Sequence, residues 1–310
     1  MRPRRAVIWG HPLHSHTHSY VHEGFSRAFE ALGVETIWTA DPVAVSGLDL
    51  DGTVFITEGQ AIAGMPYDPR SRYVLHNVDP GWWRGRERNS LLLQVYTTSP
   101  YERWRAGGPL ERLDAWTYLE HGDGGIRTLY QPWATDLLPH EFDLDVAFPP
   151  EWPAGERRGL PASPYYAAWI GTIGDGLFGN REQLTPFFEA CARHDVDVLH
   201  RAGIDRRTHI CAVRSSLLAP AIVGAWQLEH GYIPCRVFKN ISYGRLGVTN
   251  SPHVQRIFET ELPCCGDGAE LFEVALTRAR ERPLLQQLMR EVRERHTYLH
   301  RTQTILGLLA

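Results

Sequence analysis

Short apolar runs alternate with stretches of helical period along the first 130 residues. Ala6–Trp9 is an apolar run closed by Gly10, the pattern of a buried strand. From Tyr20 to Leu32 the apolar positions Val21, Phe25, Ala28, Phe29 and Leu32 recur at helical spacing, and Gly33 closes the helix. Glu35–Thr39 resumes as a strand, so the chain opens βαβ, the start of a parallel sheet. Thr53–Thr57, Tyr73–His76, Leu91–Thr97 and Arg127–Tyr130 are predicted as further strands. Two of these run out into polar residues, Glu58-Gly59-Gln60 and His76-Asn77-Val78-Asp79.

A proline-rich stretch without periodicity, 149–164, reads as a linker. A second alternation follows. Tyr166–Ile170 is predicted as a strand, Arg181–His194 as a helix, Val196–His200 as a strand and Thr208–Leu217 as a helix. A helix over Pro234–Tyr243 precedes a short strand at Leu246–Val248, and amphipathic helices over Leu271–Arg282 and Leu284–Leu299 close the chain. The expected fold class is α/β, with two Rossmann-like domains facing across a cleft. The expected domains are 1–148, the linker 149–164, 165–285, and a C-terminal helix, 286–310, that packs back on the first domain.

Composition narrows the function. The 310 residues carry a net charge of −4, which argues against broad electrostatic binding of nucleic acid but not against a local basic groove. The five cysteines include no C-x-x-C pair and are odd in number, so neither a zinc ribbon nor a disulfide framework is indicated and a cytoplasmic location is expected. The apolar run near the amino end is too short for a signal peptide. The stretch around Leu217–Trp226 is broken by Pro220 and Gly224, so no membrane span is expected. No G-x-G-x-x-G occurs at the first turn, and no P-loop, G-x-S-x-G or H-E-x-x-H is present.

Two constellations carry chemistry. In the second half, Thr249-Asn250-Ser251 ends a strand ahead of a helix, with Arg236 and Lys239 upstream, a combination that suits a phosphate-bearing ligand. The glycine-rich turn at Gly171, Thr172 and Gly174 lets a backbone approach a phosphate or sugar closely. In the first half, His11, His14, His16, His18 and His22 follow the first strand. His14, His16 and His18 form H-x-H-x-H; in an extended segment they share one face, and one of them is expected to act as general base on an acceptor hydroxyl. Glu58, Gln60, Asn77 and Asp79 are candidates for acceptor contacts. A metal shell would need a further ligand that no spacing identifies, so no metal or other cofactor is expected.

The pattern R-x-F-x-x-x-S-x-G-x-x-G-x-T-N over 236–250, with HTYLHR at 296–301, resembles the C-terminal half of the CgeB-like glycosyltransferases over about 165–301. The first half looks like a glycosyltransferase-like group met in environmental and viral sequences, and Pro132-Trp133-Ala134-Thr135-Asp136 resembles a turn near the domain junction of such enzymes. The resemblance implies the GT-B architecture, with 1–148 on the acceptor side and 165–285 on the donor side, and a metal-independent glycosyltransferase that moves a sugar from a nucleotide-sugar to a hydroxyl, nucleic acid entering only as a modified-base acceptor. It departs at Lys239, where the family usually has a carboxylate that holds the donor ribose; Glu229 is the candidate substitute. Two alternatives stand beside it: a non-catalytic nucleotide-sugar or phosphate-binding protein of the same fold, and a metal-dependent hydrolase built on the histidines.

Overall fold

The computed structural model describes residues 3–146, 161 and 165–310. The segment expected as a linker lies, apart from Pro161, outside the described residues. The chain divides into two compact units: Met1–Leu138 together with Thr297–Ala310, and Pro139–His296.

The first unit is built on β1 (Arg5–Trp9), β2 (Glu35–Thr39), β3 (Thr53–Glu58), β4 (Arg72–His76), β5 (Ser90–Gln94), β6 (Leu110–Arg112), β7 (Tyr118–His121) and β8 (Arg127–Tyr130). They form one sheet in the order β2-β1-β3-β4-β5-β8-β7-β6. The first six positions are parallel, and β7 and β6 extend the sheet antiparallel. Ala6, Val7, Ile8 and Trp9 of β1 are all fully buried, as a strand covered on both faces requires. One face carries the cluster Val7, Trp9, Phe55, Tyr73 and Leu75. β6 and β7, read as LER and YLEH, contain no apolar run and escape the sequence pattern.

The helices of this unit are α1 (Ser19–Ala31), α2 (Pro42–Val45), α3 (Pro80–Trp83), α4 (Thr98–Arg105) and the last helix of the chain, α12 (Tyr298–Leu309). α1 buries Val21, Phe25, Ala28 and Phe29, each of the larger side chains contributing about 1.5–3 kcal/mol by leaving water. The Tyr298 ring lies so close to Gly24 that an added Cβ would sit 2.2 Å from it, and it packs edge-on against Phe25 at 5.0 Å. Arg301, fully enclosed, donates to the Pro132 and Trp133 carbonyls. The tail of the chain thus belongs to the first unit's core.

The second unit holds a parallel sheet of which, among the described residues, only β9 (Tyr166–Ile170) and β10 (Asp197–Arg201) are regular. Backbone bonds continue it. Leu217 N–H donates to the Tyr166 carbonyl at 2.9 Å, and Ala168 N–H to Leu218 at 2.8 Å. Ala221 N–H donates to Val248 at 2.7 Å and Thr249 N–H to Pro263 at 3.1 Å. The order is therefore β10, β9, 217–221, 246–249, 263–265, with parallel bridges at Ala167–Leu218 and Thr249–Cys264. Around it lie α5 (Arg181–Arg193), α6 (Arg206–Ser215), α7 (Ala225–Glu229), α8 (Cys235–Ser242), α9 (Pro252–Gln255), α10 (Gly268–Arg278) and α11 (Arg282–Arg295).

The helix expected over Leu284–Leu299 is two helices. α11 ends at Arg295, and Thr297, in extended backbone, caps α12 by accepting from the His300 N–H. The boundary between the two units falls at this break, so 286–296 lies in the second unit and 297–310 in the first. Among the described residues no helix is long and apolar enough to cross a membrane.

Candidate functional site

In a parallel sheet ligands sit at the carboxyl ends of the strands, where chain connections leave to opposite sides. In the first unit that point lies between β1 and β3, because β2 flanks β1 on its other side. The parallel register sets Trp9 beside Thr57 and Glu58 beside His76. The loop after β1 and the end of β3 therefore meet, and they bring His11 to Glu58. The His11 Nε2–H donates to Glu58 Oε1 at 2.6 Å, and the Gln60 backbone N–H donates to Oε2 at 3.0 Å. Glu58 is 2% exposed. Burial pushes its carboxyl up, but the Gln60 N–H, His18 and His11 outweigh that and hold it below the usual range.

Around this pair the imidazoles gather. The His11 and His16 rings are 4.3 Å apart and those of His16 and His18 5.2 Å. His18 contacts His76 at 5.4 Å, and Trp133 stands edge-on to His76 at 4.9 Å. Burial first, then the neighbouring His76, pulls His18 down to about 4 against the pull of Glu58. His22, packed under Gly10, is brought to about 3, mainly by burial. His76 is also lowered by burial, although its Nδ1–H donates to the Leu93 carbonyl at 2.9 Å. That bond leaves Nε2 as the acceptor, 3.1 Å from Asn77 Nδ2.

The H-x-H-x-H segment is a series of turns, closed by Ser15 N–H to Pro12 and Ser19 N–H to His16, rather than an extended run. Its residues consequently do not share a face. His14, at φ 69°, is exposed and pairs with the Tyr20 hydroxyl at 3.2 Å, whereas His16 and His18 join the cluster. Gln60 contributes its backbone N–H and is otherwise exposed. Asp79 caps α3 by accepting from the Gly81 N–H at 2.7 Å. Asn77, at φ 50°, sits against Gly59, where a Cβ would fall 2.1 Å from the Asn77 carbonyl oxygen. His11 and Trp133 belong to the site through the fold alone: Glu58 is 47 positions from His11, and no local pattern signals the pairing.

In the second unit the equivalent point lies between β9 and 217–221. The loops leaving these two strands cross closely, since a Cβ on Gly224 would meet the Gly179 carbonyl oxygen at 1.9 Å. Asn180 ties the glycine-rich loop: Gly174 N–H donates to its Oδ1 at 3.1 Å, and its Nδ2 donates to the Thr172 carbonyl at 3.3 Å. Gly171 has φ 137°, and a Cβ there would lie 2.4 Å from Arg236 Nη2. Arg236, in the first turn of α8, crosses this gap. Its guanidinium lies 3.7 Å over the Trp169 ring and donates from Nε to the Ile170 carbonyl at 3.2 Å. Dense surroundings lower its pKa by desolvation, yet it keeps some exposed surface, and among the described residues no carboxylate is paired with it.

The expected anion seat at 249–251 is organised differently. Thr249 Oγ1 donates to Ala221, Asn250 holds both the Val223 N–H and its carbonyl, and Ser251 Oγ accepts from Val254 N–H. All three are buried; the Thr249 and Asn250 side chains clamp 221–223 to 249–250, and Ser251 caps α9. The helix start beside the glycine-rich loop is that of α8, one element earlier. Lys239 is buried on α8, and Glu229 is exposed at the end of α7. Trp226 stacks on His230 at 3.9 Å, with Phe178 edge-on to it at 4.8 Å.

No protein-family model matches the sequence, and no curated protein matches it. Among solved structures the chain is similar to the DNA modifying enzyme beta-glucosyltransferase, determined with and without its substrate uridine diphosphoglucose. That likeness has a TM-score of 0.56 at 10% identity and covers 98% of each chain. It is also similar to TarM, with a TM-score of 0.45 at 7% identity, over 86% of this chain and 57% of that one. The first likeness, together with the parallel-dominated sheet and its helices, makes the fold α/β of the GT-B type.

Proposed function

We propose that this chain is a nucleotide-sugar-dependent glycosyltransferase, transferring a sugar to a hydroxyl. The observation that carries the reading is Arg236: a densely surrounded guanidinium, held by an aromatic face and one carbonyl, with no carboxylate partner among the described residues. A partly desolvated cation without a counter-charge costs free energy that an anionic ligand would recover. The start of α8 and the glycine-rich loop support the same ligand, since helix N-terminal amides favour phosphate. The leaving diphosphate would be neutralised by these groups rather than by a metal.

At the first unit's edge, His11 would take the acceptor proton. Glu58 holds the proton on His11 Nε2, which leaves Nδ1 with its lone pair as the base. A carboxylate that orients an imidazole in this way is a recurrent device for general-base catalysis. The resemblance of 236–250 to CgeB-like enzymes supports the same reading. The structural neighbour modifies DNA, so a hydroxyl on a modified base belongs among the acceptors tested. The free cysteines fit a reducing, cytoplasmic setting.

The test is a thermal-shift screen against UDP-, GDP-, ADP-, CDP- and dTDP-sugars, followed by transfer assays with the donor that binds. One nucleotide family should raise the melting temperature, and Arg236→Ala should abolish the rise. Binding by wild type and Arg236→Ala alike would sink the donor assignment. Tight binding without hydrolysis or transfer would favour a non-catalytic sugar-nucleotide binder.

A further inference from the structure

The cluster at the end of β1 and β3 has the make-up of a metal site. One ring nitrogen each of His11 and His16 and a carboxylate oxygen of Glu58 all lie within 4.8 Å of one another. Two donors each about 2.1 Å from a tetrahedral zinc ion stand about 3.4 Å apart. The three atoms here, with their shortest separation of 2.6 Å between His11 Nε2 and Glu58 Oε1, bracket that spacing. Small ring movements would suffice: the His11–Glu58 pair must open, and His16 must release a 3.2 Å contact from the His18 N–H to its Nδ1. The supporting shell is already in place. Gln60 N–H fixes the other oxygen of Glu58, the kind of contact that orients a metal-binding carboxylate. His18 Nδ1, enclosed and without a hydrogen-bond partner among the described residues, stands 3.8 Å from that same oxygen.

We infer that His11, His16 and Glu58 form a site for one divalent ion of the zinc class, with a further coordination position open. Two imidazoles and one carboxylate suit zinc, cobalt or nickel, while three donors of which only one is oxygen suit neither calcium nor magnesium. An ion on His11 Nε2 displaces the proton held there and places it on Nδ1. The nitrogen assigned above as the base would then no longer accept. Occupancy would therefore switch the transferase off. That consequence rests on the proposed function, whereas ion binding itself does not.

The experiment titrates chelator-stripped protein with cobalt(II) and zinc, read by calorimetry and by the visible absorption of low-coordinate cobalt. Wild type should bind one ion per chain, with the cobalt spectrum displaced by zinc. His16→Ala, at a half-exposed position, should weaken binding at least tenfold, and Glu58→Gln should do the same with native circular dichroism. His140→Ala, on an exposed histidine elsewhere in the chain, should bind as wild type does. Absence of saturable binding at one ion per chain would overturn the site, as would His16→Ala and Glu58→Gln affinities within twofold of wild type. If ion binding is as expected and no sugar transfer is found with any donor, the transferase reading fails and the ion site stands.

Discussion

Replacing Glu58 by Gln is the sharpest probe of the first unit's edge. The carboxylate accepts two hydrogen bonds, from the His11 Nε2–H and from the Gln60 N–H. A glutamine carbonyl can keep only one of them. If it stays on the Gln60 amide, the new NH₂ group faces the His11 Nε2–H, donor against donor. The imidazole then shifts its proton to Nδ1, so that Nε2 can accept and Nδ1 no longer can. A positioned base contributes about 10²–10⁴-fold to rate, or about 3–5 kcal/mol of barrier. The cost in stability is smaller. One charge-assisted bond is lost, worth about 1.5–3 kcal/mol, and burying a neutral amide instead of a carboxylate offsets part of that. The assay is kcat/KM for transfer, or for donor hydrolysis without acceptor, at a temperature well below the melting midpoint of both proteins. We expect a loss of at least a hundredfold with the donor KM little changed. His14→Ala, at an exposed position outside the imidazole cluster, should remain within twofold of wild type. A folded Glu58→Gln protein within threefold of wild type would refute the tautomer argument.

Gly171→Ala should act on the other edge. Its φ of 137° strains any residue with a Cβ, and that Cβ, 2.4 Å from Arg236 Nη2, would push the guanidinium aside, so we expect a loss of about 1–3 kcal/mol of stability and donor binding at least tenfold weaker, read by denaturant melts and calorimetry; an unchanged melt would show that the strand end is not strained. Stability should also fall with pH. His22 titrates near 3 in the fold against 6.5 in the open chain, so below about pH 6.5 the unfolded state binds the extra proton, and the loss grows until about pH 3. His18, lowered to about 4, acts in the same direction. Urea midpoints should drop between about pH 7 and about pH 5, and His22→Gln should flatten that slope; an equally steep slope in the variant would count against burial as its cause.

Much of the fold could be read from periodicity, for reasons visible in particular elements. β1 is fully buried, so its run of apolar residues is uninterrupted, and α1 presents one apolar face at the predicted spacing. The segment 246–249 was legible as apolar although it forms only scattered sheet bonds. What pattern could not show were elements whose stability comes from their neighbours. β6 and β7 exist because β8 offers an unpaired edge, and their sequences are mostly polar. The break at His296–Thr297 was hidden because apolar residues continue at helical spacing across it; only the Thr297 cap and the packing of Tyr298 against Gly24 reveal that the chain has passed from one unit to the other.

The candidate sites were legible to the extent that topology is. Strand ends in a parallel sheet face one way, so His16, His18 and Glu58 could be placed at the same edge from sequence alone. Sheet order could not, and sheet order selects among strand ends. In the first unit β1 lies between β2 and β3, so the connections diverge at β1 and β3 and leave His11 facing Glu58. In the second unit β9 lies between β10 and 217–221, so divergence falls beside Gly171, where Arg236 lies. The same rule explains why Thr249–Ser251 does not carry the phosphate argument. That turn follows 246–249, one place beyond the point of divergence, and its side chains are used to hold the neighbouring strand. One rule of parallel sheets thus selects an imidazole–carboxylate pair in one unit and, in the other, a guanidinium with no carboxylate partner among the described residues, the two kinds of group that sugar transfer from an anionic donor would require.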